Sequence, residues 1–100
     1  MKVTSGGLVI AEANDGDLVA IEGNLYFPPG SVTPGTLTES ATPYTCPWKG
    51  RAQYFDVRAG TQTLRDAAWS YPAPRQSAIK RVGSDFAGYV AFDTSQVTVG

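Results

Sequence analysis

One cysteine lies close to two cations near the middle of the chain. Cys46 is followed closely by Lys49 and Arg51. Neighbouring positive charge lowers the pKa of a thiol, and the thiolate is the nucleophilic form. The spacing therefore permits a catalytic thiol or a redox sensor at Cys46, assisted by Lys49. The alternative is that Cys46 is a small buried hydrophobic residue, and we expect burial because the chain has no histidine to act as its base.

The same two cations could instead hold an anion. Lys49 and Arg51 flank Gly50, and alternate residues of a strand lie on one face. Glycine permits close approach of the backbone, and two cations on one face can grip a phosphate or a carboxylate. The alternative is a surface cation pair that bridges to Glu39 or Asp56.

Aromatic residues and one acid accompany these positions. The aromatic side chains could line a pocket wall with tyrosine hydroxyls as polar handles, or they could form the core of a small domain, and we favour the core. Glu39 could be a general base or could pair with Lys49, and we favour the ion pair. The candidate site comprises catalytic Cys46 and the ligand-binding residues Glu39, Tyr44, Trp48, Lys49, Arg51, Tyr54, Trp69 and Tyr71.

Two compositional facts exclude several kinds of site. The chain has no histidine and one cysteine. It therefore offers no Ser-His-Asp or Cys-His arrangement, no intramolecular disulfide and no thiolate zinc knuckle. We predict neither a metal nor a cofactor.

Charge and hydropathy limit the partners. A formal net charge of -1 gives no electrostatic basis for nucleic-acid binding or for attachment to an anionic membrane. The apolar run Leu8 to Ala11 is too short for a signal peptide, and nothing approaches the ~20 apolar residues of a membrane span. We expect a cytoplasmic protein whose partner is a small anionic molecule, and the oligomeric state stays open.

Glycine and proline recur between short β-branched and aromatic runs, which predicts many short strands. One domain over residues 1–100 is expected, and it is mostly β with one short helix at Pro74 to Val82, where proline begins the helix and Gly83 ends it. Ala41 to Pro47 is predicted to be an ordered loop, because it contains two prolines and no periodicity. The predicted strands are 7–11, 18–22, 25–27, 37–40, 50–57, 62–65, 67–71, 89–92 and 96–99.

The segments around Cys46 and Trp69 carry a resemblance. Cys-Pro-Trp-Lys-Gly-Arg-Ala-Gln-Tyr begins at Cys46, and Ala-Trp-Ser-Tyr-Pro and Val-Ala-Phe follow later. Together they resemble the family called Domain of Unknown Function 427 over about residues 7–99. The resemblance implies a β-tent of two small antiparallel sheets packed together. Zinc binding by relatives of that architecture uses paired Cys-x-x-Cys knuckles, which this chain lacks.

The family also carries a nucleotidyltransferase-like label. Nucleotidyl transfer needs a Gly-Ser turn for the triphosphate and closely spaced carboxylates for Mg²⁺. Gly83-Ser84 is followed by Asp93, but Thr94-Ser95-Gln96 after it supplies no second carboxylate, so we do not favour that activity.

Three functions stay open on these observations. The leading hypothesis is that the loop from Glu39 to Arg51 meets the Trp69–Tyr71 segment and binds a small anionic ligand. The second is thiol chemistry at Cys46 with Lys49. The third is a protein interaction module that uses an exposed strand edge or a dimer face.

Overall fold

The computed structural model describes residues 1–100 and is mostly β. The predicted fold class, an antiparallel β-domain with one short helix, is confirmed. The strands are β1 (Lys2–Ser5), β2 (Leu8–Glu12), β3 (Val19–Ile21), β4 (Asn24–Tyr26), β5 (Leu37–Cys46), β6 (Gly50–Ala59), β7 (Gln62–Ser70), β8 (Val90–Phe92) and β9 (Thr98–Val99), with 3₁₀ turns at Asp15–Asp17 and Pro29–Ser31 and one helix, α1 (Gln76–Val82).

The strands form two layers. One layer is the three-stranded sheet β2-β1-β9, and the other is the four-stranded sheet β5-β6-β7-β8. The β3–β4 hairpin joins the second layer through Phe27 and Val90, which exchange two backbone hydrogen bonds of 2.8 Å each. All strand pairs are antiparallel.

The four-stranded sheet is covered on both faces. In β8, Val90 and Phe92 belong to one buried cluster, whereas Ala91 between them belongs to the other. Alternate residues of a strand point to opposite faces, so the two clusters lie on opposite sides of the sheet. The apolar cluster, between the two layers, comprises Val3, Ile10, Ala11, Phe27, Val57, Ala59, Ala67, Ala68, Val90, Phe92 and Val97. The aromatic cluster comprises Ile21, Tyr26, Cys46, Ala52, Tyr71, Ala78, Phe86 and Ala91.

The edge strand β5 corrects the predicted loop. Strand pairing continues from Pro43 to Cys46 against β6, after an irregularity between Glu39 and Pro43. An edge strand tolerates proline, because one side of its backbone has no partner strand. The prolines therefore do not end this strand, and the loop predicted over Ala41 to Pro47 is wrong except at its last residue. Strand β1 was not predicted.

Asp66 lies at a bulge inside β7. Two separate strands, 62–65 and 67–71, were predicted here. The φ of Asp66 is 51°, in the left-handed region. The Asp66 N–H donates to Asp56 Oδ1 at 2.9 Å, and the Thr42 hydroxyl donates to Asp66 Oδ2 at 2.7 Å. These contacts hold the bulge in place, so β7 runs through it as one strand.

The turn between β3 and β4 places a carboxylate at an unusual backbone position. Glu22 and Gly23 are the two turn residues, with φ of 53° and 81°. This is the conformation of a tight hairpin turn, where asparagine or glycine normally stands first. The predicted strands 18–22 and 25–27 leave Gly23 and Asn24 as the turn. The observed turn lies one residue earlier, because Asn24 already belongs to β4.

Helix α1 begins two residues later than predicted, at Gln76. It covers the aromatic cluster through Ala78. Gly83 ends it with φ of 86°, and its N–H donates to the Ile79 carbonyl at 2.9 Å. This confirms the predicted glycine stop. No helix in the protein combines the length and hydropathy needed to cross a membrane.

Candidate functional site

A tight turn between β5 and β6 presents the residues of the central motif. Cys46 pairs with Gly50 across this turn, which consists of residues 47–49. Gly50 has φ of 114°, and a Cβ there would lie 3.6 Å from the Ala73 carbonyl oxygen. A side chain at Gly50 would strain the backbone, although its Cβ would make only an ordinary van der Waals contact with Ala73. Lys49 lies in the turn, before the strand begins, so Lys49 and Arg51 do not form the predicted pair on one strand face.

Lys49 is buried, although it carries a charge. Only 7% of its side chain is exposed, and its Nζ donates to the Glu22 carboxylate. The same Nζ lies 4.7 Å from the ring centroid of Trp48 and 5.3 Å from that of Tyr71. Aromatic ring faces and one carboxylate therefore replace the water that a buried ammonium gives up.

The electrostatics of this group follow from those contacts. The hydrogen bond from Lys49 is the main reason that the pKa of Glu22 lies below its ordinary value, with Arg81 and the Trp48 side chain adding to it. Burial alone would lower the pKa of Lys49, but the hydrogen bond to Glu22 and neighbouring negative charge raise it. Arg81 Cζ lies 4.5 Å from the Trp48 ring centroid. We call Glu22, Trp48, Lys49, Tyr71 and Arg81 the Lys49 corner.

The ion-pair partners expected for Lys49 were wrong. Glu39 makes no ion pair, and Asp56 accepts a hydrogen bond from the Asp66 backbone. Glu22 takes that role from 27 residues away. The hairpin turn brings it to Lys49, which residue spacing around the motif could not reveal.

Cys46 lies inside the aromatic cluster, with 5% of its surface exposed. The expected burial is confirmed. Burial opposes ionisation, but the nearby backbone N–H groups of Lys49 and Trp48 and the Lys49 charge favour the thiolate and bring the pKa of the thiol below its ordinary value. The structure therefore combines a sheltered sulfur with an environment that favours the thiolate.

The other aromatic residues extend this cluster. Trp69 Nε1 donates to the Tyr26 hydroxyl at 3.1 Å, and the Tyr26 and Tyr71 rings lie 6.5 Å apart. Tyr54 packs beside Trp69, with ring centroids 6.2 Å apart. Burial raises the pKa values of Tyr26 and Tyr71. Tyr44 is 47% exposed, so it is the most open of the predicted aromatic residues.

Glu39 and Arg51 lie elsewhere, in a surface groove. Two adjacent depressions of about 340 and 450 Å³ share residues 51–53, and they extend to residues 72–73 on one side and 39–43 on the other. We call this surface the Arg51 groove. Arg51 is exposed and makes no ion pair. The predicted residues are thus divided between the groove and the Lys49 corner with its aromatic surroundings.

Three residues of the corner and its surroundings were missed as site candidates: Glu22, Tyr26 and Arg81. The acidic residue in a tight turn was one available signal, because a carboxylate is unusual where asparagine or glycine is preferred. No group of three or more Cys, Asp or Glu side chains converges to form a metal site.

Comparison with known proteins agrees with the motifs. A family model described as a domain of unknown function, DUF427, matches residues 1–100. No curated protein matches the chain. Because the match spans the entire sequence, the resemblance carried by the segments around Cys46 and Trp69 is confirmed, and the chain belongs to the DUF427 family.

Proposed function

We propose that this domain binds a small anionic ligand in the Arg51 groove. The observation that carries the proposal is an exposed guanidinium without an acidic partner, at the point where the two depressions meet. Guanidinium groups bind carboxylates and phosphates through two parallel hydrogen bonds. Arg51 would hold the anionic group in this way.

The neighbouring residues support a ligand of modest size. Gln53 lines both depressions, and the hydroxyl residues Ser40 and Thr42 line one of them. Arg75 packs against Gly50, the residue before Arg51, with its Cγ 3.8 Å from the Cβ position there. The side-chain stem of a second arginine thus lies next to the residue that precedes Arg51. Glu39 lines the same depression as Ser40, so the ligand would place its anionic group toward Arg51 and its uncharged part toward Glu39.

Thermal-shift titration with nucleotides and small organic acids tests this proposal. A ligand at a concentration 100 times its Kd stabilises a protein by about 2.7 kcal/mol, which such an assay detects easily. We expect stabilisation in the wild type that Arg51→Ala removes. Arg58→Ala is the matched control, because Arg58 is an exposed arginine of β6 outside the groove. Stabilisation that survives in Arg51→Ala, or its absence across the panel, contradicts the proposal.

Thiol chemistry at Cys46 is a second candidate, favoured by nearby backbone N–H groups and the charge of Lys49, which bring the pKa of the thiol below its ordinary value. The thiolate would therefore form at lower pH than in an ordinary cysteine. A free thiol with this role would work in a reducing compartment such as the cytoplasm.

The alkylation rate of Cys46 against pH tests the second candidate. We expect a midpoint below the ~8.5 of an ordinary thiol, and we expect Lys49→Met to raise it. Slow access to the buried sulfur scales every rate equally and leaves the midpoint unchanged. A rate that rises only above ~8.5 in the wild type rejects thiolate chemistry.

A further inference from the structure

The Lys49 corner already holds a carboxylate, and that carboxylate belongs to the chain. Glu22 accepts a hydrogen bond from Lys49 Nζ, and the Trp48 side chain favours the ionised form of the same carboxylate. Arg81 stacks on the Trp48 ring and adds positive charge near Glu22. Two cations and one indole ring therefore lie around one carboxylate.

The groups that surround Glu22 are fixed by other parts of the chain. Trp48 and Lys49 belong to the β5–β6 turn, Tyr71 directly follows β7, and Arg81 lies on α1. The Lys49 side chain is 93% buried, between the Trp48 and Tyr71 rings. A desolvated ammonium requires a negative partner. The corner is thus formed as an anion site without any contribution from the β3–β4 hairpin except Glu22 itself.

Glu22 is the least constrained member of the corner. Its side chain is 57% exposed, and its backbone has a left-handed φ of 53° that side-chain-bearing residues adopt at a cost. It reaches Lys49 from the tip of a two-residue turn. An external carboxylate could therefore take its place while the turn moves out toward solvent.

We propose that the Lys49 corner is a carboxylate-binding site, that Glu22 occupies it in the free protein, and that a small organic acid exchanges with Glu22 there. The planar carboxylate of the acid would accept hydrogen bonds from Lys49 and Trp48, near the charge of Arg81. The corner shares no residue with the Arg51 groove. Stabilisation by an organic acid that survives Arg51→Ala but disappears in Lys49→Met would therefore belong to the corner and not to the groove.

Acetate titration of the Glu22→Gly variant tests the exchange. Glycine removes the carboxylate and suits the left-handed turn position. The protein has two tryptophans, so NMR gives one indole N–H signal for Trp48 and one for Trp69. We expect acetate to shift the Trp48 signal saturably in Glu22→Gly, with an affinity at least about tenfold higher than in the wild type, where Glu22 competes at high effective concentration.

Further variants show which side chains are needed for the acetate-induced shift of the Trp48 signal. In the Glu22→Gly background, Lys49→Met should abolish the acetate response and Arg81→Gln should weaken it. Lys80→Ala should leave it unchanged, because Lys80 is an exposed cation of the same helix without a contact to Trp48. Sodium chloride at the same ionic strength is the anion control. If Glu22→Gly does not fold, Glu22→Gln takes its place in every titration.

The proposal is overturned if acetate produces no saturable shift of the Trp48 signal in the folded Glu22 variant. It is also overturned if chloride produces the same shift, or if the response persists after Lys49→Met. None of these results bears on Arg51, so failure here is distinguishable from failure of the proposed groove ligand.

Discussion

The two faces of the four-stranded sheet bury different chemistry. The apolar cluster between the layers contains no titratable side chain. The aromatic cluster contains Tyr26, Cys46 and Tyr71, with Lys49 packed against it. The same β-strands supply both faces by alternation, so one strand contributes to a plain hydrophobic core and to a polar cluster at once.

Buried side chains with shifted pKa values are concentrated on the aromatic face of the sheet. The pKa values of Tyr26, Cys46, Lys49 and Tyr71 are all shifted, and these side chains lie on one face together. Concentrations of perturbed pKa values are typical of functional sites. Both faces bury apolar side chains, but only the aromatic face also carries buried groups that titrate.

The largest effect is expected for the phenylalanines that anchor the two faces. Phe27 and Phe86 are both fully buried, Phe27 in the apolar cluster and Phe86 in the aromatic cluster. Phe27→Ala and Phe86→Ala should each lower the free energy of unfolding by about 3–5 kcal/mol, measured by urea denaturation. Only Phe86→Ala should change the pH midpoint of Cys46 alkylation, because Phe86 and Cys46 belong to the same cluster. An equal change in both variants would show that the faces are not independent.

The next largest effect is expected for the Lys49–Glu22 ion pair. Loss of Glu22 and loss of Lys49 should lower the free energy of unfolding by different amounts. Glu22→Gln leaves a buried ammonium without its negative partner and should cost about 2 kcal/mol of unfolding free energy. Lys49→Met leaves Glu22 in contact with solvent and keeps the apolar packing, so it should cost less than about 1 kcal/mol. Urea denaturation at neutral pH measures both. The opposite order would mean that Glu22, not Lys49, carries the burial cost.

A smaller effect is expected at the hydroxyl of Tyr26. Tyr26→Phe removes the acceptor of the Trp69 indole N–H while the ring packing stays. The loss should be about 1 kcal/mol, with a shift of the Trp69 indole signal in the NMR spectrum as an independent readout. An unchanged Trp69 signal would show that the hydrogen bond contributes nothing in solution.

The Glu22 contribution to the free energy of unfolding should also depend on pH. The folded-state pKa of Glu22 lies below its ordinary value, so its stabilising contribution is complete above the unfolded pKa of about 4.3. That contribution is lost as pH falls through the folded-state pKa. The stability difference between wild type and Glu22→Gln should therefore narrow below about pH 4. A gap that stays constant into acid would exclude an ionised Glu22 as its source.

The sequence predicted elements whose signals are local. Strand β6 follows from alternation between Gly50 and Val57, and the helix follows from its proline start and from Gly83. The second part of strand β5, from Ala41 to Cys46, was missed because Pro43 is a breaker inside a sheet but is tolerated at an edge. Whether a strand lies at an edge depends on the whole topology, so nothing near Pro43 could settle it.

The candidate site was predicted only in part, because its contacts also depend on the topology of the whole chain. Trp48, Lys49 and Tyr71 come together as residue types suggested, although which of them would touch was not predicted. The pairing of Lys49 with Glu22 depends on a hairpin that is remote in sequence. Arg51 was grouped with Lys49 by spacing, and the turn that ends at Lys49 separated them. Short-range spacing identifies the participants but not the side of the sheet on which each lies.

The irregular edge strand β5 affects how this domain behaves among other copies of itself. Its outer side faces no neighbouring strand of the sheet, and a long free edge of this kind is a template for strand addition and aggregation. Pro43 offers no N–H to an incoming strand, and the Ser40 hydroxyl already accepts from the Thr42 N–H at 3.2 Å. A strand added along this edge would therefore lack a hydrogen-bond donor at Pro43, which works against pairing between copies of the domain at that point.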